Sequence, residues 1–270
     1  ILPNPTPIEE ADYVVVESTY VDRLHEDQAS IGDNLADIVS STVERRGNIV
    51  VPSFALERAQ EVLYYLNELL FERRIPPLVV FVDSPMAVRI TEVFQRHPEL
   101  FDAEMMDLMK QNRSPFDFPG LTMVRSVEQS KAINSIAGSV MVIAGSGMCT
   151  GGRIKHHLAA NISRKESTVL FVGYQAVGTL GRHIVDGAKQ VRVLGQQRRV
   201  RARIAQIQGF SAHADRDELM RWLGGLKSAP RHVFVAHGEP ETAEAFAGHV
   251  RAETGWDVSV AGYQHTAVLD

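Results

Sequence analysis

Short apolar runs alternate with amphipathic stretches along most of the chain. The runs at residues 48–54, 78–82 and 139–144 have the length and composition of buried strands, whereas residues 56–74 carry apolar positions at helical spacing. Strands that alternate with helices indicate a parallel sheet flanked by helices, so the pattern predicts an α/β fold. Further strands are predicted at 13–16, 121–125 and 168–172, and helices at 31–46, 85–96, 99–111, 127–136 and within 151–163.

The pattern changes after Gly187. Residues 191–194 and 198–208 form two β runs with little helix between them, which indicates a change of domain. A chain of 270 residues is long enough for one large domain or two ordinary ones. No apolar run is long enough for a transmembrane helix, so we expect no membrane association.

Composition and charge narrow the class of protein only slightly. The chain is 44% hydrophobic and 23% charged, which is ordinary for a globular protein. A formal net charge of −5 argues against nucleic-acid binding through bulk electrostatics alone, although a local basic groove is compatible with it. The single cysteine, Cys149, cannot form an intrachain disulfide, which favours a reducing, cytoplasmic location.

A glycine-rich segment at residues 145–152 follows one predicted strand and precedes a helix. Glycines allow backbone amides to approach an anion, so the segment is typical of a phosphate cradle, or of a turn that is glycine-rich for packing alone. His156 and His157 follow on the helix, where they either contact a nucleic-acid backbone or lie on a solvated face. Tyr174, after the next strand, is a candidate for base stacking or a structural tyrosine.

Two histidines stand out because each ends a β run beside a carboxylate. His213 lies in Gly-Phe-Ser-Ala-His-Ala-Asp, and His237 lies in Val-Phe-Val-Ala-His-Gly-Glu. A histidine in such a place is a metal ligand, a general acid or base, or a structural group. Together with Glu17, the carboxylate at the end of the first strand, they fall short of the usual set of a catalytic zinc site.

Several motifs resemble, in the same order, those of the β-CASP branch of the metallo-β-lactamase superfamily, which includes nucleases of RNA processing. The matching segments are Glu17-Ser18-Thr19-Tyr20 with Arg23 and His25, Pro52-Ser53-Phe54-Ala55, Ser146-Gly147-Met148 with Gly151-Gly152, Phe171-Val172-Gly173-Tyr174-Gln175, Phe210-Ser211-Ala212-His213-Ala214-Asp215 and His237-Gly238-Glu239. The resemblance covers nearly the whole chain. It implies an αββα metallo-β-lactamase domain, made of residues 1–22 and 200–270, with a β-CASP domain inserted at residues 23–199.

The resemblance also implies roles for the site residues. Glu17 is expected to orient His213, and His213 to act near the scissile phosphate as a general acid for the leaving oxygen. His237 corresponds to a ligand of the second of two zinc ions, and a histidine there favours RNA over DNA. The expected phosphate cradle comprises Ser146, Gly147, Met148, Gly151 and Gly152, and the further RNA contacts are Arg58, His156, His157 and Tyr174.

Two positions depart from the family pattern, and part of the metal site is expected elsewhere. Val21 and Glu57 stand where the family usually has glycine. The other zinc-binding motifs of the family lie upstream of the residue that corresponds to Ile1, so this polypeptide alone is expected neither to hold two zinc ions nor to cleave RNA.

The sequence and the resemblance therefore predict the C-terminal portion of a zinc-dependent ribonuclease, with RNA as its substrate and a homodimer as its candidate assembly. An inactive RNA-binding or scaffold paralogue is the first alternative. A nucleotide-binding α/β enzyme that uses the turn at Gly145 is the second.

Overall fold

A computed structural model of the chain describes residues 1–22, 24, 29–210 and 213–270, and it divides the chain into two compact units. The larger unit comprises residues 1–3 and 26–211, and the smaller one comprises residues 4–25 and 212–270. The smaller unit is thus assembled from two segments that are distant in sequence. Within the described ranges, no helix is both long enough and apolar enough to cross a membrane.

Strands and helices alternate along the chain, which confirms the predicted α/β class. The strands are β1 (Tyr13–Glu17), β2 (Ile49–Pro52), β3 (Val79–Val82), β4 (Leu121–Met123), β5 (Val140–Ala144), β6 (Thr168–Phe171), β7 (Gln190–Val193), β8 (Gln196–Arg199), β9 (Arg203–Gln206), β10 (His232–Ala236) and β11 (Val258–Val260). The helices are α1 (Ala29–Glu44), α2 (Arg58–Phe71), α3 (Pro85–Arg96), α4 (Ala103–Lys110), α5 (Val127–Ala132), α6 (Ile154–Asn161), α7 (Leu180–Val185), α8 (Arg216–Leu223) and α9 (Pro240–Thr254).

The larger unit is built on a six-stranded parallel sheet in the order β4-β3-β5-β2-β6-β9. Every residue of β2, β5 and β6 is buried, because helices cover both faces of the sheet. Successive residues point to opposite faces, so Val51 and Ile143 enter one apolar cluster and Val50 and Val142 enter the other. This two-sided burial explains why the central strands are continuous apolar runs in the sequence.

The smaller unit contains a three-stranded parallel sheet in the order β1-β10-β11. One face carries Val14, Val16 and Val235, which pack with Leu223 of α8 and Phe246 of α9. The first strand is paired with a strand more than two hundred residues later, in a register that places Glu17 opposite Ala236. This pairing joins the two segments of the unit.

Two elements differ from the sequence-based predictions. The helix predicted at 99–111 begins only at Ala103, because the Asp102 side chain accepts a hydrogen bond from the Met105 amide at 2.8 Å and so caps the helix there. The β run predicted at 198–208 divides in two. β8 forms an antiparallel hairpin with β7, whereas β9 pairs with β6.

The position of β9 bears on the predicted division of the chain. The sequence analysis assigns residues 200–270 to the last domain, but β9 is an edge strand of the larger unit's sheet. The chain therefore stays with the larger unit beyond residue 200. The domain assignments 1–22, 23–199 and 200–270 stay a prediction.

The turn before α2 explains one departure from the family pattern. Glu57 has φ 61° and ψ −54°, and the Arg58 amide donates to the Leu56 carbonyl at 2.7 Å, so the three residues form a γ-turn. A positive φ of this kind is strained for residues other than glycine. Val21, the other departure, is buried in the core of the smaller unit.

A buried carboxylate joins three elements at the carboxyl edge of the larger sheet. Asp83, directly after β3, accepts hydrogen bonds from His157 Nε2 at 2.6 Å, Arg153 Nη1 at 2.6 Å and Ser130 Oγ at 2.5 Å. Burial raises the pKa of Asp83, but the hydrogen bonds from His157, Ser130 and Arg153 outweigh it, so the pKa lies below its ordinary value of 3.8. Asp83 is therefore ionised at neutral pH and stabilises this edge.

Replacement of this carboxylate tests its contribution. We expect Asp83→Asn to lower the free energy of unfolding at neutral pH by about 3 kcal/mol, because it leaves the Arg153 guanidinium and the buried Nε2 of His157 without their charged partner. Since the folded-state pKa of Asp83 is lowered, its contribution is present above the ordinary value of 3.8 and is lost as the pH falls through the folded-state pKa. The stability gap between wild type and variant should therefore narrow in acid. Urea denaturation at several pH values measures both effects.

A surface pair serves as the control. Glu92 accepts a hydrogen bond from Arg125 at 2.5 Å but is partly exposed, so Glu92→Gln should cost less than about 1 kcal/mol. Equal losses in the two variants, or a gap for Asp83→Asn that does not change with pH, would show that the buried network is not stabilising.

Replacement of Glu57 in the γ-turn should stabilise the protein, whereas replacement of Asp83 should destabilise it. We expect Glu57→Gly to raise the free energy of unfolding by about 1 kcal/mol, because glycine adopts the positive φ without steric strain. The matched control is Glu72→Gly at the other end of α2, where φ is −73° and glycine should destabilise by about 0.5 kcal/mol. A loss of stability in Glu57→Gly, measured by urea denaturation, would contradict the assignment of strain to this turn.

Candidate active site

Glu17, His213 and His237 lie together in the smaller unit. Glu17 is the last residue of β1 and pairs with Ala236, so His237 follows directly at the carboxyl ends of the two strands. A ligand atom from each of the three residues lies within 4.8 Å of the others. The structure thus brings together the residues to which the sequence analysis assigned catalytic and metal-binding roles.

One oxygen of the Glu17 carboxylate accepts from two donors. Oε2 lies 2.6 Å from His213 Nδ1 and 2.6 Å from Thr19 Oγ1, and it lies 3.8 Å from His237 Nδ1. Burial raises the pKa of Glu17, but the hydrogen bonds from His213 and Thr19, with the nearby imidazoles, outweigh it, so the pKa lies below 4.5. The carboxylate is therefore ionised at neutral pH and positions His213 through Nδ1.

The hydroxyl of Thr19 selects a tautomer of His237. Thr19 Oγ1 has one proton, and the Glu17 carboxylate is both charged and closer than the backbone carbonyl of His237 at 2.9 Å. With that proton directed to Glu17, Thr19 Oγ1 accepts from His237 Nδ1 at 3.0 Å. His237 then carries its proton on Nδ1, and Nε2 keeps the lone pair that a metal requires.

The ring of His213 is held by an aromatic neighbour as well as by Glu17. It stacks on Tyr20 with ring centroids 6.1 Å apart, and Tyr20 is buried. Tyr20 forms an isolated β-bridge with Asp215, which caps the N-terminus of α8 through a capping box with Glu218. Sequence reasoning assigns no function to Thr19 or Tyr20, and the one signal for them is their place in the motif Glu17-Ser18-Thr19-Tyr20.

The cluster fits a zinc ion in its donor set. Histidine nitrogens and carboxylate oxygens are the ligands that zinc takes in catalytic sites. Because Oε2 of Glu17 already accepts two hydrogen bonds, Nε2 of His237, whose proton lies on Nδ1, suits a metal better than that carboxylate oxygen. His237 also has a positive φ of 51°, a conformation found at functional sites, and its side chain is 71% exposed.

The glycine-rich turn lies at the carboxyl edge of the other sheet. The turn follows β5, and the chain after β5 continues to β6 on one side of it in the sheet. The chain after the neighbouring strand β3 continues to β4 on the other side. Ligands of open α/β sheets bind at such switch points. Within the described residues, no acceptor contacts the backbone N–H groups of Gly147 and Met148. The turn therefore presents unpaired donors at a position suited to an anion.

Backbone and side-chain hydrogen bonds close this turn. Ser146 Oγ accepts from the Gly151 amide at 3.2 Å, and the Ser146 amide donates to the Gly151 carbonyl at 3.2 Å. Gly152 has φ 74°, and a Cβ there would lie 2.3 Å from the Gly145 carbonyl oxygen. Cys149 lies beneath the turn, where burial raises the pKa of its thiol to about 12. Cys149 is thus a neutral thiol rather than a nucleophile or ligand.

The four expected RNA contacts lie in different surroundings. Arg58 is buried and pairs with Glu61, and His157 is buried against Asp83, so neither side chain faces solvent; that they contact RNA stays a prediction. His156 is exposed on the same helix, and Tyr174 is half-buried after β6. The motif residues at positions 23, 25, 211 and 212 lie outside the described residues.

Comparison with known families gives two matches. Residues 59–184 match the family described as Beta-Casp domain. Residues 197–261 match the family described as Zn-dependent metallo-hydrolase RNA specificity domain. The two matches cover most of the larger unit and the C-terminal segment of the smaller one.

Several named relatives are similar to the chain over most of its length. The chain is 40% identical over 263 residues to Ribonuclease TTHA0252 of Thermus thermophilus, and the match covers 97% of the chain and 59% of the relative. It is 31% identical over 223 residues to Transcription termination factor FttA of Methanosarcina mazei, covering 80% of the chain and 35% of the relative. It is 28% identical over 249 residues to RNase J-like protein of Methanocaldococcus jannaschii, and the match covers 92% of the chain and 56% of the relative.

The chain therefore spans between about a third and three fifths of the length of these relatives. The motifs, the α/β fold with its parallel sheet and the matches to both domain families agree. The chain belongs to the β-CASP family of the metallo-β-lactamase superfamily, a family of ribonucleases and their relatives.

Proposed function

We propose that this chain is part of a zinc-dependent ribonuclease that hydrolyses RNA phosphodiester bonds. The observation that carries the proposal is the contact of Glu17 with both His213 and Thr19 beside His237, at the ends of two parallel strands. The match to a Zn-dependent metallo-hydrolase RNA specificity domain supports zinc and RNA, and the ribonuclease name of a relative supports hydrolysis.

The residues have distinct chemical roles in this proposal. His237 would hold zinc through Nε2, and a zinc ion there would activate water near neutral pH and stabilise charge on the phosphodiester. His213 donates a proton from Nε2 to the leaving oxygen as its P–O bond breaks. Glu17 orients the imidazole by accepting a hydrogen bond from Nδ1 at 2.6 Å.

The turn at residues 146–148 binds a phosphate of the RNA strand through backbone amides. Its unpaired donors suit a phosphate oxygen without selecting a base, so the turn positions the strand rather than reading its sequence. Gly151 and Gly152 shape the same turn, and His156 and Tyr174 remain the accessible candidates among the expected RNA contacts.

The proposed activity is that of a protein of the relatives' length. In this chain, His237 is the one residue that corresponds to an expected zinc ligand, so the chain alone should neither hold two zinc ions nor cleave RNA. A homodimer and a cytoplasmic location stay predictions.

Two histidine variants of the full-length protein separate metal binding from proton transfer. We expect His213→Ala to keep about two zinc ions per chain but to lower kcat for RNA cleavage about 10²- to 10⁴-fold, the contribution of a general acid. We expect His237→Ala to lose both zinc and cleavage, because a metal ligand is removed. Zinc content by atomic emission and cleavage of a labelled RNA measure the two effects.

His232→Ala is the matched control. His232 also lies in the smaller unit, where it contacts Asp257 at 2.9 Å and Ser259 at 2.7 Å, and its replacement should leave zinc content and cleavage unchanged. Undiminished cleavage in a folded His213→Ala or His237→Ala variant would overturn the proposal. A wild-type protein without zinc would instead favour the inactive, RNA-binding alternative.

A further inference from the structure

An exposed aromatic ring lies beside the glycine-rich turn and has no role in the proposed chemistry. Phe54 follows β2 by two residues, at the same carboxyl edge of the sheet, and 40% of it is exposed. Two hydrogen bonds hold the backbone beside Phe54. The Ser53 amide donates to the Ala144 carbonyl at 3.0 Å, and Ser53 Oγ donates to the Phe54 carbonyl at 2.9 Å.

Two glycines hold one side of the ring. A Cβ at Gly147 would lie 2.6 Å from Cδ2 and 2.7 Å from Cε2 of Phe54, and a Cβ at Gly173 would lie 3.3 Å from Cε2. Larger residues at position 147 would therefore displace the ring. Since both glycines lie against the Cδ2 and Cε2 side, the exposed part of the side chain is on the opposite side. Contact with both glycines limits the motion of the ring, so stacking on it should cost little conformational entropy.

We propose that Phe54 is a stacking platform for a base of single-stranded RNA whose phosphate is bound by the turn at residues 146–148. This inference rests on the proposed function and adds a specific nucleotide-binding residue to it. Gly147 is both the middle residue of the turn and a contact of the Phe54 ring. A phosphate bound by the Gly147 and Met148 amides would then belong to the same nucleotide as the base on the ring, or to the adjacent nucleotide.

The combination of surfaces favours a nucleotide over an apolar peptide. In the part of the chain that the structure describes, the exposed ring lies next to backbone donors without acceptors. The site thus offers one apolar and one anion-binding surface, as a nucleotide requires. A docking site for an apolar protein segment would leave those donors without acceptors. Stacking of this kind tolerates all bases, because each has a π-face, so the platform should not require a particular sequence.

The experiment compares two probes with this chain and its Phe54 variants. Binding of a fluorescently labelled single-stranded oligouridine RNA is measured by anisotropy, and binding of inorganic tripolyphosphate, which has no base, is measured by calorimetry. We expect Phe54→Leu to weaken RNA binding about tenfold, the size of one base–aromatic stack, and to change tripolyphosphate binding less than twofold. Phe54→Trp should retain RNA affinity, and its additional indole fluorescence should be quenched by RNA.

A second exposed phenylalanine supplies the control. Phe71 ends α2, a helix of 14 residues, and so lies about 20 Å along the helix from the edge that carries Phe54. Phe71 is 63% exposed, and Phe71→Leu should leave binding of both probes unchanged. Circular dichroism confirms that each variant is folded before binding is compared.

The outcomes separate this inference from the proposed function. RNA binding that is unchanged in folded Phe54→Leu, or equal weakening for RNA and tripolyphosphate, overturns the stacking platform and leaves the ribonuclease proposal intact. Weakening of RNA alone, with rescue by Phe54→Trp, supports the platform. A wild-type chain that binds tripolyphosphate but no RNA contradicts both the proposed function and the platform.

Discussion

The parallel pairing of β1 with β10 is the constraint on which the candidate site depends. It places Glu17 opposite Ala236, so that His237 and the Glu-Ser-Thr-Tyr run meet although more than two hundred residues separate them in sequence. Closing so long a loop adds little entropy cost per extra residue, which allows a whole unit to lie between the two segments. A shift of one residue in this register would turn Glu17 to the other face of the sheet and separate the three side chains.

Much of the fold was predictable from the sequence because the central strands are buried on both faces and therefore read as continuous apolar runs. The predictions were wrong where local patterns were ambiguous. The run at residues 198–208 contains no glycine or proline to mark the end of β8, and only the long-range pairing of β9 with β6 distinguishes the two strands. The start of α4 depended on a cap at Asp102 that outweighed the apolar spacing.

The candidate site was predictable as a set of residues but not as a network. Motif order identified Glu17, His213 and His237, whereas the hydroxyl of Thr19 became relevant only when its distances to two partners were known. His156 and His157 are adjacent in sequence, yet one is exposed and the other is buried against Asp83, since neighbouring residues on a helix face different directions. Sequence alone had no means to choose between them.

In the proposed chemistry, His213, oriented by Glu17, protonates the leaving oxygen. A full-length protein assayed with an RNA whose bridging leaving oxygen is replaced by sulfur tests this most directly, because a thiolate leaves without needing a proton. We expect His213→Ala to cleave the sulfur-substituted RNA within about tenfold of the wild-type rate while it remains defective by about 10²-fold or more on ordinary RNA. Equal defects on the two substrates would show that His213 does not protonate the leaving oxygen.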